Sequence, residues 1–156
     1  MTDPRAVGRL YVSVQAALFL AVGVTAWFPG PMLWRSVIVG LLLIVVGLAG
    51  VLWCARSLGR SLTPLPEPNG AGLVVVGLYR WVRHPMYSSL VVMCLGVAVL
   101  TGVYWCYLTV AVLAVFFSAK ARHEERYLVA TYPDYVAYGA RVGRFVPLIG
   151  RLRRAR

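Results

Sequence analysis

The stretch MYSSLVVMCLGVAVLTGVYWCYLTVAVLAVFFSA, residues 86–119, holds 34 consecutive residues without one charge. As a single helix it would reach about 50 Å, far beyond the ~30 Å hydrocarbon core of a bilayer. Two full spans would need slightly more chain. The reading that fits is a hairpin of two short membrane helices, 86–101 and 103–119, turning near Thr101 and Gly102, where glycine releases the backbone from the helix.

Two further uncharged runs precede it. Leu10 to Phe28 and Ser36 to Cys54 each contain 19 residues, the first ending at Pro29-Gly30-Pro31. Each matches the ~20 residues a crossing helix needs. The expected fold is therefore all-α: an integral membrane bundle of four helices, about 10–28, 36–54, 86–101 and 103–119, in one domain covering 1–156. Charge supports this order. Arg5 and Arg9 precede the first run, Arg56, Arg60, Arg80 and Arg83 lie between the second and third, and Lys120 with eight arginines follows the fourth. Only Arg35 falls on the other side, so 15 of the 16 basic residues share one face, which the positive-inside rule places in the cytoplasm together with both termini.

Composition excludes the common alternatives. Sixty per cent of the residues are apolar and 13% charged, more apolar surface than a soluble domain of this length can hide. The net charge of +11 sits beside membrane runs and in the terminal RLRRAR, which suits anionic lipid; no nucleic-acid reading motif is present. The first run, with basic residues before it and a small-residue Val24-Thr25-Ala26 near its end, has some features of a signal peptide, but its length favours a retained span. Cys54, Cys94 and Cys106 fall in or beside spans at no metal-binding spacing, and read as small buried residues. Gly40, Gly47 and Cys54 recur every seven residues, as do Ser89 and Gly96, a spacing that lets helices approach closely.

The segment with Pro64, Pro66, Pro68 and Asn69-Gly70 is a turn-rich connector. Leu73 to Gly77 (LVVVG) is expected at the interface or tucked beneath the bundle. In the cytoplasmic tail, 120–156, Lys120 to Ala130 reads as helix. Thr131-Tyr-Pro-Asp134 resembles a second helix start with threonine as cap, which brings Tyr135, Tyr138 and Arg141 to one face. Two amphipathic helices of this kind are enough to roof a pocket.

Two clusters carry possible chemistry. In VRHPMYSSL, residues 82–90, Pro85 starts a helix whose free N–H groups and dipole are electropositive, and Arg83 and His84 add charge there. An anion belongs at such a place. Arg83 alone reads more readily as a lipid anchor, but His84 and Tyr87, three residues apart, line one face. In ARHEERYL, residues 121–128, Glu124 and Glu125 emerge below the fourth span. They are either a solvated face with an Arg122–Glu125 pair, or groups that hold a polar ligand. A metal site has little support: the HExxH pattern fails at Tyr127. No G-x-S-x-G, P-loop or G-x-G-x-x-G is present.

Taken in order, GLYRWVRHPMYSS (77–89), the hairpin, RHEERYL (122–128) and YPDYVAYGARVGRFVP (132–147) resemble the isoprenylcysteine carboxyl methyltransferase family, which is similar to the membrane phospholipid methyltransferases. The match covers the C-terminal half, with Ser89 where the family often has glycine. The resemblance implies methyl transfer from S-adenosylmethionine in a cytoplasmic pocket, with a lipid-like acceptor entering from the bilayer. It assigns His84, Tyr87, Glu124 and Arg83 to the cofactor, and Glu125 and Arg122 to catalysis, Arg122 by holding an acceptor carboxylate. An amino-phospholipid acceptor, a related membrane reductase using a reduced nicotinamide cofactor, and a non-enzymatic membrane protein are the alternatives.

Overall fold

A computed structural model describes residues 4–63 and 72–152. The proline-rich connector at Pro64–Gly70 and most of the terminal basic cluster lie outside the described residues. The rest is helical: α1 (Pro4–Thr25), α2 (Val37–Leu58), α3 (Pro85–Thr101), α4 (Tyr104–Thr131) and α5 (Tyr135–Arg141), with short 3₁₀ turns at Gly59–Ser61 and Gly77–Arg80. No strand occurs among the described residues, only two isolated bridges.

The hairpin turns where glycine allows it. Gly102 closes α3 in the left-handed region at φ 75°, and its N–H donates to the Ala98 carbonyl at 2.8 Å. The Pro29–Ser36 loop folds onto this turn: the Leu33 N–H bonds to Gly102 O, and Arg35 Nε reaches Leu100 O at 3.1 Å. Arg35 thus sits at the opposite end of the bundle from the remaining described basic residues of the loops and tail.

Three helices are long and apolar enough to cross a membrane: Ala6–Thr25, Val37–Ser61 and Tyr104–Thr131. α3 is apolar but has 17 residues, about 26 Å of helix, so by length the expected four spans become three and a shorter partner. The fourth expected span also proves longer than 103–119. α4 runs unbroken for 28 residues to Thr131, because no glycine or proline interrupts it, and the helix expected from Lys120 is its continuation. Thr131 ends α4 and caps nothing, whereas Asp134 precedes the seven-residue α5 without a side-chain cap bond. The expected pair of separate amphipathic tail helices is therefore one extension and one short helix.

α3 lies between α2 and α4, and α1 packs on α4. The small residues make the α2–α3 contact close. A Cβ on Gly96 would come 2.7 Å from the Ile44 backbone nitrogen and 2.8 Å from Gly40 O, and one on Gly47 would meet Met93 and the Ser89 carbonyl. Backbone cannot yield as a side chain can. Gly96→Leu is expected to cost about 1–3 kcal/mol by overpacking, a fall of roughly 2–10 °C in the unfolding temperature of the detergent-purified chain. Gly23→Ala, whose added methyl meets nothing within 4 Å, should cause no loss in the same measurement.

Candidate functional site

The site forms where α3 begins and α4 emerges from its apolar stretch. Gly143 and Arg144 run beside Val82 and Arg83 as a short parallel bridge: the Arg83 N–H donates to Gly143 O at 2.8 Å and the His84 N–H to Arg144 O at 3.0 Å. A Cβ on Gly143 would overlap the Val146 carbonyl, so this turn requires glycine. The tail is thereby stitched to the residues that precede α3.

Glu125 is the hub. Its carboxylate accepts from Arg83 Nε at 2.9 Å, Arg144 Nη2 at 2.6 Å and Arg144 Nε at 3.2 Å, and His84 Nε2 lies 3.3 Å away. The Arg83 side chain is fully buried and that of Glu125 is 7% exposed. Arg83 donates further to the carbonyls of Gly139, Val142 and Gly150, at 3.0, 2.7 and 2.9 Å. Its planar fork is nearly saturated by protein acceptors, and its charge is answered by Glu125.

Glu124, one residue earlier, faces differently. It accepts from the Tyr87 hydroxyl at 2.9 Å, and His84 Nδ1 lies 3.7 Å away, so His84 stands between the two carboxylates. The His84 and Tyr87 rings are parallel at 5.5 Å, and Tyr87 stacks on Phe117 at 4.7 Å. These side chains border a cavity of about 380 Å³, a size usual for small-molecule sites. Its polar wall holds His84, Tyr87, Glu124 and Lys120, and its apolar wall includes Leu58, Met86 and Leu90. Leu73 and Val74 close over it, so the LVVVG segment tucks beneath the bundle at its start, while Val75 and Val76 remain exposed. Tyr79, Tyr135 and Tyr138 line it as well. Burial, opposed by the Arg83 charge, pushes the Tyr138 hydroxyl up to about 12. Burial also raises Tyr79 and Tyr135, so all three stay neutral donors at physiological pH.

The structure brings His84, Tyr87 and Glu124 together at the cavity as the motif order suggests. Arg83 borders the same cavity, but its donors hold Glu125 and the tail. Glu125 is turned into that ionic cluster and is not part of the cavity wall. Arg122 is exposed on the far side of α4. The local Arg122–Glu125 pair does not form, because Arg83 and Arg144 reach Glu125 from buried positions where the attraction is stronger.

Sequence reasoning missed two residues. Lys120 is 2% exposed, its Nζ bonds to Gln15 Oε1 at 2.6 Å and it lies 5.5 Å from the centre of the Tyr87 ring. The available signal was Gln15, the sole glutamine of the chain, set inside the first apolar run, where a polar side chain marks a partner or a site. Among the described residues, no three His, Cys, Asp or Glu side chains gather as metal ligands.

Helices long and apolar enough to cross a membrane thus end beside a buried ionic cluster and a largely apolar cavity with one polar wall. Residues 35–135, more than half of the 156-residue chain, match the phospholipid methyltransferase family, and the chain belongs to it. A 79-residue stretch is 39% identical to the protein-S-isoprenylcysteine O-methyltransferase of Schizosaccharomyces pombe, covering 49% of this chain and 34% of that protein. Over 132 residues the chain is 31% identical to the cobalt-zinc-cadmium resistance protein CzcN of Cupriavidus metallidurans, covering 77% of this chain and 56% of that one. The fold matches the solved structure of the eukaryotic intramembrane Ras methyltransferase ICMT with a TM-score of 0.66 at 19% identity, over 96% of this chain and 53% of that one. The chain thus spans between 34% and 56% of the length of these relatives.

Removing Glu125 leaves the fully buried Arg83 charge without its counter-ion, and removing Arg83 leaves Glu125 to Arg144 and His84 and frees three carbonyls; breaking a buried pair costs about 3–5 kcal/mol. Glu125→Gln and Arg83→Ala should each lower the unfolding temperature sharply in detergent. Arg83→Lys should recover little of the loss, because an ammonium cannot serve four acceptors in a fork. Arg122→Ala should stay within about 0.5 kcal/mol of the parent chain.

Proposed function

We propose that this protein is an integral membrane methyltransferase that uses S-adenosylmethionine and modifies a carboxylate on a lipid-like acceptor entering from the bilayer. The supporting observation is that one cavity joins the Tyr87–Glu124–Lys120 wall to an apolar wall at the end of a membrane hairpin. In this reading α3 crosses the bilayer with the three longer helices, and both termini and the cavity face the cytoplasm, as the basic residues suggest.

S-adenosylmethionine, when bound, supplies an electrophilic methyl group on a sulfonium. The side chains present fit it: a carboxylate for its ammonium, neutral tyrosines for its hydroxyls and ring nitrogens, and aromatic faces that favour a cation. Glu124, Tyr87 and His84 hold it. Arg83 and Glu125 act as positioning residues, locking His84 and the tail around the cavity. Lys120, steadied by Gln15, receives the acceptor carboxylate in place of the exposed Arg122. Such an acceptor is ionised at neutral pH, so no residue need remove a proton. The buried ammonium favours this acceptor over the cationic amine of an amino-phospholipid. Enclosure by Leu73, Val74 and the tail excludes water and aligns the reactants.

Calorimetry on the full-length chain in detergent tests the reading. S-adenosylmethionine and S-adenosylhomocysteine should bind, whereas a reduced nicotinamide dinucleotide should not. Glu124→Gln should weaken S-adenosylmethionine by about tenfold or more, the value of a charged hydrogen bond. Lys120→Met should raise KM for an S-prenylated N-acetylcysteine at least about tenfold, with cofactor affinity unchanged. Absence of binding to either S-adenosyl compound would falsify the proposal.

A further inference from the structure

A second, more open hollow of about 360 Å³ lies between the 3₁₀ turn at Gly77–Arg80 and α5, lined by Val75, Arg80, Tyr138, Arg141 and Val142. The parallel Val82–Gly143 bridge sets its register: Arg80 and Arg141 each stand two residues before their bridged residue, and both come to the same hollow. Both arginines are exposed. Among the described residues neither has a hydrogen-bond or ion-pair partner. No carboxylate lines the hollow, and Glu124 and Glu125 are engaged elsewhere. Two unanswered guanidiniums beside one hollow repel each other, and the donor fork of an arginine fits phosphate oxygens in pairs.

The surroundings of the hollow are apolar. Val76 is 56% exposed and Trp81, the neighbour of Arg80, 62%. Trp53 of α2, also exposed, stands against the start of the same turn, since a Cβ on Gly77 would come 3.0 Å from its indole nitrogen. Trp53 belongs to a helix long and apolar enough to cross a membrane, toward its C-terminal end. Indole rings beside arginines are the mark of a membrane–water boundary, where rings sit among headgroups and cations meet phosphates. A soluble anion would answer the guanidiniums but leave these apolar side chains in water. We infer that the hollow binds the phosphate of an anionic phospholipid through Arg80 and Arg141, while Val76 and Trp81 meet its acyl region. This site goes beyond the methyltransferase reading and does not depend on it. Tyr138 borders both hollows, so a headgroup bound here rests on a residue of the cavity wall.

Native mass spectrometry of the full-length chain in detergent, titrated with phosphatidylglycerol, reads the affinity. Phosphatidylglycerol should bind more tightly than phosphatidylcholine. The double variant Arg80→Gln/Arg141→Gln should bind phosphatidylglycerol about tenfold or more weakly, because charged donors to the phosphate are lost. Arg9→Gln/Arg122→Gln removes the same charge from exposed positions outside the hollow and should stay within about twofold of the parent chain, since distant exposed charges are screened. In lipid-free detergent Arg80→Gln/Arg141→Gln should unfold at the parent temperature or above, because no protein group answers either charge. Parent-like affinity of Arg80→Gln/Arg141→Gln overturns the inference, and so does an equal loss in the two double variants, which would mean attraction by overall charge alone. Phosphatidylcholine binding as tightly as phosphatidylglycerol overturns it too. So does inorganic phosphate, if it raises the unfolding temperature of the parent as much as phosphatidylglycerol does and fails to do so for Arg80→Gln/Arg141→Gln, because the occupant would then be a soluble anion. A marked drop in the unfolding temperature of Arg80→Gln/Arg141→Gln without lipid overturns it as well, because the arginines would then be holding the fold.

Discussion

The buried carboxylate of Glu125 is the constraint around which the end of the molecule that carries the cavity is organised. It comes from α4, yet the groups that meet it come from the start of α3 and from the tail beyond α5. One acidic side chain therefore ties together three parts of the chain that share no continuous hydrophobic core. The apolar cluster between α1, α3 and α4 and the small aromatic cluster at α5 are separate. A charge removed from water is expensive by itself, and two guanidiniums and a histidine at hydrogen-bond distance offset that expense only in one geometry. This is why the tail, though short of regular structure, has a defined position over the cavity.

The adjacent glutamates divide the work because successive residues on a helix point about 100° apart. Glu125 faces the arginines and is enclosed; Glu124 faces the cavity and Tyr87. His84 lies between them, stacked on Tyr87, so the ligand-facing groups are braced by the structural ones rather than resting on loops. The close α2–α3 contact serves the same end: Gly47 and Gly50 let Ser89, one turn into α3, approach α2, and Gly40 and Gly96 do the same nearer the hairpin turn.

Much of this was legible in the sequence, and what was not has a physical reason. The hairpin and its turn at Gly102 follow from an apolar run too long for one crossing and too short for two generous ones. The meeting of His84 and Tyr87 with Glu124 follows from motif order through the resemblance, since 37 residues separate Tyr87 from Glu124. The fate of Arg83 was hidden, because its partners lie 42 to 67 residues away and most are backbone carbonyls, which leave no trace in residue type. The Arg122–Glu125 pair that helical spacing offered does not form, because the buried arginines hold Glu125 more strongly. Thr131 resembled a cap by residue type alone, while α4 had no reason to stop before it. Lys120 resembled an ordinary boundary charge; its burial and its contact with Gln15, 105 residues away, set it apart.

α4 passes from the apolar bundle to the acidic pair without a glycine or proline hinge. An unbroken helix of this kind has no Pro or Gly joint at which a sharp kink would absorb a displacement. Any tilt that α4 adopts to suit the thickness of the surrounding lipid is carried directly to Glu124 and Glu125. The composition of the host bilayer thus becomes a variable of the pocket's shape, and reconstitution into lipids of graded acyl-chain length addresses the site without touching a single residue.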